Sequence, residues 1–160
     1  METATDFFKA ALRNEVKASA FYYKAADLAR NDESRMLLLN FADMEDGHAR
    51  DLLEKAAGAP CASDFDAKAY LKELEDNTDA TISDDEMKII QDGDMRAILE
   101  FGIRMEANAG ENYKKLAAVA TNDDVKAYCL ELVKEEKEHE NELVRLLNGL
   151  DMDDEDRPGL

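Results

Sequence analysis

The chain contains two histidines, and each stands three residues after a glutamate: Glu45-Asp46-Gly47-His48 and Glu136-Lys137-Glu138-His139. In a helix, positions i and i+3 project to the same side. The carboxylate and imidazole of each motif can therefore reach one cation. Two more glutamates, Glu15 and Glu106, each precede the motif glutamate of their half by 30 residues. Four carboxylates and two imidazoles form a donor set suited to iron or manganese, with zinc as a further option.

An internal repeat relates these positions. A shift of 91 residues superposes Glu15 on Glu106, Tyr22 on Tyr113, Glu45 on Glu136 and His48 on His139 without a gap. The same shift carries Ala18 to Ala109, Leu39 to Leu130, Leu52 to Leu143 and Gly58 to Gly149. One helical hairpin has been duplicated.

The elements that hold these residues are helical. Proline occurs twice and glycine seven times in 160 residues, and Ala, Leu, Glu and Lys dominate, as in an all-α domain. Helical periodicity predicts four long helices, over residues 6–30, 32–57, 94–120 and 123–148. Asn31 or Asp32 can cap the second, and Gly58 with Pro60 stops it. Gly149 ends the fourth. Short junctions before the second and fourth helices make each pair an antiparallel hairpin. A crossover at about 58–92 holds two short helices, over 64–76 and 84–91. Residues 1–150 then form one antiparallel four-helix bundle, and 151–160 a solvated acidic tail.

The phase of these helices places the six donors inward. Phe8, Leu12, Glu15, Ser19 and Tyr22 share one face, as do Leu38, Phe41, Glu45, His48 and Leu52. Leu99, Ile103, Glu106, Gly110 and Tyr113 share a third, and Cys129, Leu132, Glu136, His139 and Leu143 a fourth. Four carboxylates in an apolar core would repel one another and lose their hydration. Two divalent cations cancel four negative charges, and neutral imidazoles add none.

Charge and length restrict the alternatives. With 20 basic and 38 acidic residues, the formal net charge is −18, which argues against nucleic acid or an anionic membrane as partner. No apolar run approaches the roughly 20 residues that span a bilayer. No secretory signal is visible at the N-terminus. Two cysteines, Cys61 and Cys129, exclude a four-thiolate site within the chain and fit a reducing cytoplasm. Cys129 reads as a small buried group and Cys61 as an exposed loop thiol.

The constellation resembles rubrerythrin and the wider ferritin-like di-iron superfamily. Glu15 with Tyr22, Met44-Glu45-Asp46-Gly47-His48, Met105-Glu106 with Tyr113, and Glu135-Glu136-Lys137-Glu138-His139 carry the resemblance. It implies a ferritin-like bundle with two iron ions. Glu45 and Glu136 would bridge them, Glu15 and Glu106 would be terminal, and His48 and His139 would complete each sphere. It also implies that the hydroxyls of Tyr22 and Tyr113 bond ligand carboxylates. Two departures stand out. The rubredoxin-type module of typical rubrerythrins needs four cysteines and this chain has two, which implies that electrons come from an external donor protein or that turnover is oxidative only. The extra ligand glutamate expected one turn after Glu106 is replaced by Ala109, with Glu111 nearby.

Three functions follow as expectations. The first is a di-iron oxidoreductase reducing O2 or H2O2, acting as a homodimer. The second is a ferroxidase or iron-storage protein using the same residues. The third is a metal-free helical interaction module. Ser19, Ala18, Ala109 and Gly110 either leave room for a small oxidant or permit close helix packing. Asp51 and Glu142, one turn after each histidine, read as solvated.

Overall fold

The computed structural model describes residues 3–29, 31–55, 64–92 and 94–149. Six α-helices follow in order: α1 Ala4–Asp27, α2 Asp32–Lys55, α3 Ala67–Asp76, α4 Asp84–Gln91, α5 Met95–Val119 and α6 Asp123–Gly149. A 3-10 turn, Thr78–Thr81, joins α3 to α4. Among the described residues there is no strand, and the all-α bundle expected from the sequence is what forms.

Side chains that satisfy orphan backbone donors set the helix starts. Thr3 accepts from the amide of Asp6, whose carboxylate accepts from the Thr3 amide in return, so α1 begins two residues before the expected 6. Asp94 caps α5 at the Arg96 amide. Asn31 caps α2 at the Ser34 amide, and Asn122 caps α6 at the amides of Asp124 and Val125. Thr3 and Asp94 are equivalent across the repeat, as are Asn31 and Asn122, so the duplication extends to the caps. Asp66 accepts from the Ala69 amide, so α3 starts at Ala67 and not at 64. Gly149 is the last residue of α6, not the residue after it. The α1 helix closes at Asp27, short of the expected 30. Gly58, Pro60, Cys61 and the 151–160 tail lie outside the described residues.

The contacts fix the topology. Tyr22 meets Phe41 across α1 and α2, with ring centroids 5.4 Å apart. Phe21 meets Phe101 across α1 and α5 at 4.7 Å, and the Asn112 amide donates to the Phe7 carbonyl farther along the same pair. The α1–α5 pair is therefore antiparallel, which makes α2 and α5 parallel. Consecutive parallel helices need a connection that returns the length of the bundle. The crossover does this along the outer side of α1. Phe65 packs on Phe8 near the start of α1, Arg13 donates to the Ala80 carbonyl, Lys17 pairs with Glu86 at 3.1 Å, and Ile90 joins the far apolar cluster.

The core is divided. One apolar cluster surrounds Phe8, Leu12, Leu52, Leu116, Cys129 and Leu132. The other surrounds Phe21, Leu38, Phe41, Ile98, Leu99 and Leu143. The polar donors lie between them. Leu116 is fully buried, whereas Met36 is 57 % exposed. Leu116→Ala should lower the unfolding free energy by about 2–5 kcal/mol. Met36→Ala should change it by less than about 0.5 kcal/mol. Urea denaturation of the metal-free protein measures both.

Candidate metal centre

Each long helix contributes donors from its midsection to one layer. Glu15 comes from α1, Glu45 and His48 from α2, Glu106 from α5, and Glu136 and His139 from α6. All six are buried: the glutamates are at most 2 % exposed and the histidines 8 %. Their donor atoms form two overlapping clusters, within each of which all lie within 4.8 Å of one another. One contains Glu15, Glu45, His48 and Glu136, the other Glu45, Glu106, Glu136 and His139. Glu45 and Glu136 belong to both, which is the arrangement required of carboxylates shared by two cations. Glu15 and Glu106 belong to one each. The two imidazoles lie nearly parallel, with ring centroids 5.9 Å apart and planes at 13°.

Both histidines turn Nδ1 to the layer. His48 Nδ1 lies 2.9 Å from Glu136 Oε1, 3.5 Å from Glu15 Oε2 and 3.7 Å from Glu45 Oε2. His139 Nδ1 lies 3.4 Å from Glu45 Oε1 and 3.7 Å from Glu106 Oε2. Despite this crowding, Glu15 Oε2, Glu45 Oε1, both Glu136 oxygens and both Nδ1 atoms make no hydrogen bond of acceptable geometry. Buried polar atoms are normally paired, and leaving them unpaired is costly. Six such atoms aimed at one layer fit the donor set of two cations.

The tyrosines bond across the repeat. Tyr22 of α1 donates to Glu106 Oε1 of α5 at 2.9 Å. Tyr113 of α5 donates to Glu15 Oε1 of α1. The helices are antiparallel, so a tyrosine two turns beyond one glutamate comes level with the glutamate of the other half. Each hydroxyl occupies Oε1 of its glutamate and leaves Oε2 facing the imidazole of the same half. Gly102 completes this arrangement on α5: a Cβ there would stand 3.1 Å from the Tyr22 hydroxyl. No periodicity singled out Gly102.

Residues 6–147 match the Rubrerythrin family. The chain belongs to the rubrerythrin family. No curated protein and no solved structure matches it. Membership of a ferritin-like di-iron family and a buried Glu/His cluster agree with each other and are compatible with di-iron binding. Among the described residues, no helix is long and apolar enough to cross a membrane.

The neighbouring candidates sort by burial. Glu111 pairs with Lys114 at 3.0 Å on the surface, with its side chain 65 % exposed, so it does not take the place left by Ala109. Asp51 is exposed and Glu142 half-buried. Ser19, Ala18 and Ala109 are buried, and a Cβ on Gly110 would approach the Glu136 stem at 4.0 Å. Cys129 is fully buried, and burial pushes its thiol up to about 11. Glu135, part of the quoted motif but without a role assigned from sequence, reaches His48 Nε2 at 2.8 Å.

Without cations, the layer holds protons. Burial, then repulsion from Glu45, drives Glu15 well above the usual carboxylate range. Burial raises Glu106 to about 8, with Glu136 adding to the shift. Burial and the charges of Glu15 and Glu45 raise Glu136 to about 7. Burial alone would disfavour the imidazolium forms. The facing carboxylates outweigh it, raising His139 to about 10 and His48 well above its ordinary value. Burial followed by the nearby carboxylates raises both Tyr22 and Tyr113, which keeps their hydroxyls protonated as donors.

Each raised group binds its proton more tightly in the folded chain than in the unfolded one. The layer's contribution to metal-free stability is therefore greatest at low pH. It should fall from about 4.5 to 8 through Glu136 and Glu106, and from 6.5 to about 10 through His139. Metal binding displaces these protons, so stabilisation by added Mn2+ should grow over the same interval. Thermal melts at pH 6 and pH 9, with and without Mn2+, measure both slopes. A metal-free chain more stable at pH 9 than at pH 6 would contradict the assignment.

Proposed function

We propose that the chain is a di-iron carboxylate oxidoreductase that reduces peroxide or O2 with oxidation of Fe(II). The observation that carries this reading is the pair of overlapping donor clusters sharing Glu45 and Glu136, with unpaired buried oxygens and nitrogens directed at one layer. Bound there, two iron ions would supply the electrons and Lewis acidity needed to cleave an O–O bond.

The chain's own residues do the rest. Glu45 and Glu136 bring the two positions together, and Glu15 and Glu106 complete the charge balance. Tyr22 and Tyr113 hold the terminal carboxylates by Oε1 and keep a proton at the edge of the layer. The two apolar clusters above and below limit water, which strengthens every charge interaction between them. The same unpaired acceptors count against a metal-free interaction module, because a core with no use for them would be at least as stable with apolar residues in their place.

The test is anaerobic loading with Fe(II), followed by measured additions of H2O2. Two iron ions per chain should bind, and one H2O2 should be consumed for every two Fe(II) oxidised, with two protons taken up and two waters released. Glu45→Ala should lose most bound iron while retaining the helical circular dichroism of the parent. Tyr22→Phe should retain iron and slow its oxidation. Uptake of iron far beyond two per chain into a mineral would favour the storage reading instead. Absence of iron binding would overturn both.

A further inference from the structure

The repeat makes the two halves of the layer equivalent in their donors but not in what holds those donors. His48 is held on the side away from the layer. Nδ1 faces the layer, and Nε2 lies 2.8 Å from Glu135 Oε2, a carboxylate from α6 that is 41 % exposed. Shifting by the repeat converts Glu135 into Met44, a thioether that accepts hydrogen bonds poorly. His139 turns the same Nδ1 inward, where it approaches Glu45, Glu106 and Glu136. Among the described residues, no carboxylate meets its Nε2. Phe41 lies edge-on to that ring instead, with centroids 5.8 Å apart.

This difference has a direct chemical consequence. A neutral histidine that presents a lone pair at Nδ1 must carry its proton on Nε2. A carboxylate accepting that proton selects the tautomer, fixes the ring plane and makes Nδ1 a stronger donor. Glu135 does this for His48 alone. Relying on the di-metal reading given above, we propose that Glu135 is a positioning residue that makes the two cation positions unequal, so that the position served by Glu15 and His48 fills first and more tightly than the one served by Glu106 and His139.

Anaerobic calorimetric titration with Co2+, followed in parallel by its visible absorption, reads the two steps separately. The parent should show two binding steps of distinct affinity. Glu135→Gln keeps the size of the side chain and removes its charge. It should weaken the tighter step by about 10- to 100-fold while leaving the weaker step unchanged, so that the two converge. Met44→Glu supplies the missing carboxylate to the other half and should tighten the weaker step. Metal-free melting temperatures of the variants, which report on folding alone, should move little and in no fixed relation to the affinities. Two indistinguishable steps in the parent, or equal weakening of both by Glu135→Gln, would overturn the inference and leave the di-metal reading intact. No Co2+ binding by the parent would overturn both.

Discussion

Four carboxylates face one another inside this bundle, and the rest of the structure accommodates that fact. An ionised carboxylate taken out of water costs several kcal/mol even after relaxation. Four in one layer would not be tolerated unless something positive lay among them. Without cations, protons serve: burial and mutual repulsion raise Glu15, Glu106 and Glu136, and the raised imidazoles carry positive charge. With divalent cations, the same atoms become ligands. The site is thus organised around a positive charge whose carrier can change. The surface excess of acidic residues behind the net charge of −18 is a separate matter of solubility.

Duplication supplies the layer economically. A single hairpin offers one lone glutamate and one Glu-x-x-His, and it cannot enclose them. Two hairpins packed antiparallel bring both sets to one level and let each tyrosine bond the glutamate of the other half. The caps repeat as well, with Thr3 and Asp94 starting the first helix of each half and Asn31 and Asn122 the second. The crossover is the part without a duplicate, because it answers a need that arises only when two hairpins are joined.

Much of this was legible in the residues. The 3.6-residue phase placed Glu15, Glu45, Glu106 and Glu136 on apolar stripes, and all four are buried. Periodicity constrains one helix at a time, however. Which tyrosine serves which glutamate depends on how antiparallel helices align in height. The partner of His48 Nε2 was hidden for the same reason, since Glu135 sits on another helix 87 residues away. Gly102 looked like any helical glycine until the Tyr22 hydroxyl was found against it. The starts of α1 and α3 differed from expectation because side-chain caps at Thr3 and Asp66, which accept from the Asp6 and Ala69 amides, decide them, and apolar phase carries no record of those bonds.

The division of the core into two apolar clusters bears on how the helices find their alignment. Apolar surfaces alone are forgiving: a helix can slide by one turn, about 5.4 Å, and still bury leucines against leucines. Here such a slide of α1 would carry Glu15 toward the cluster around Phe8 or toward that around Phe21 and strip it of the Tyr113 hydroxyl. The mid-bundle layer therefore acts as a notch in an otherwise smooth interface. It makes one vertical setting of the four helices far cheaper than its neighbours, and the same groups that would hold cations also index the fold.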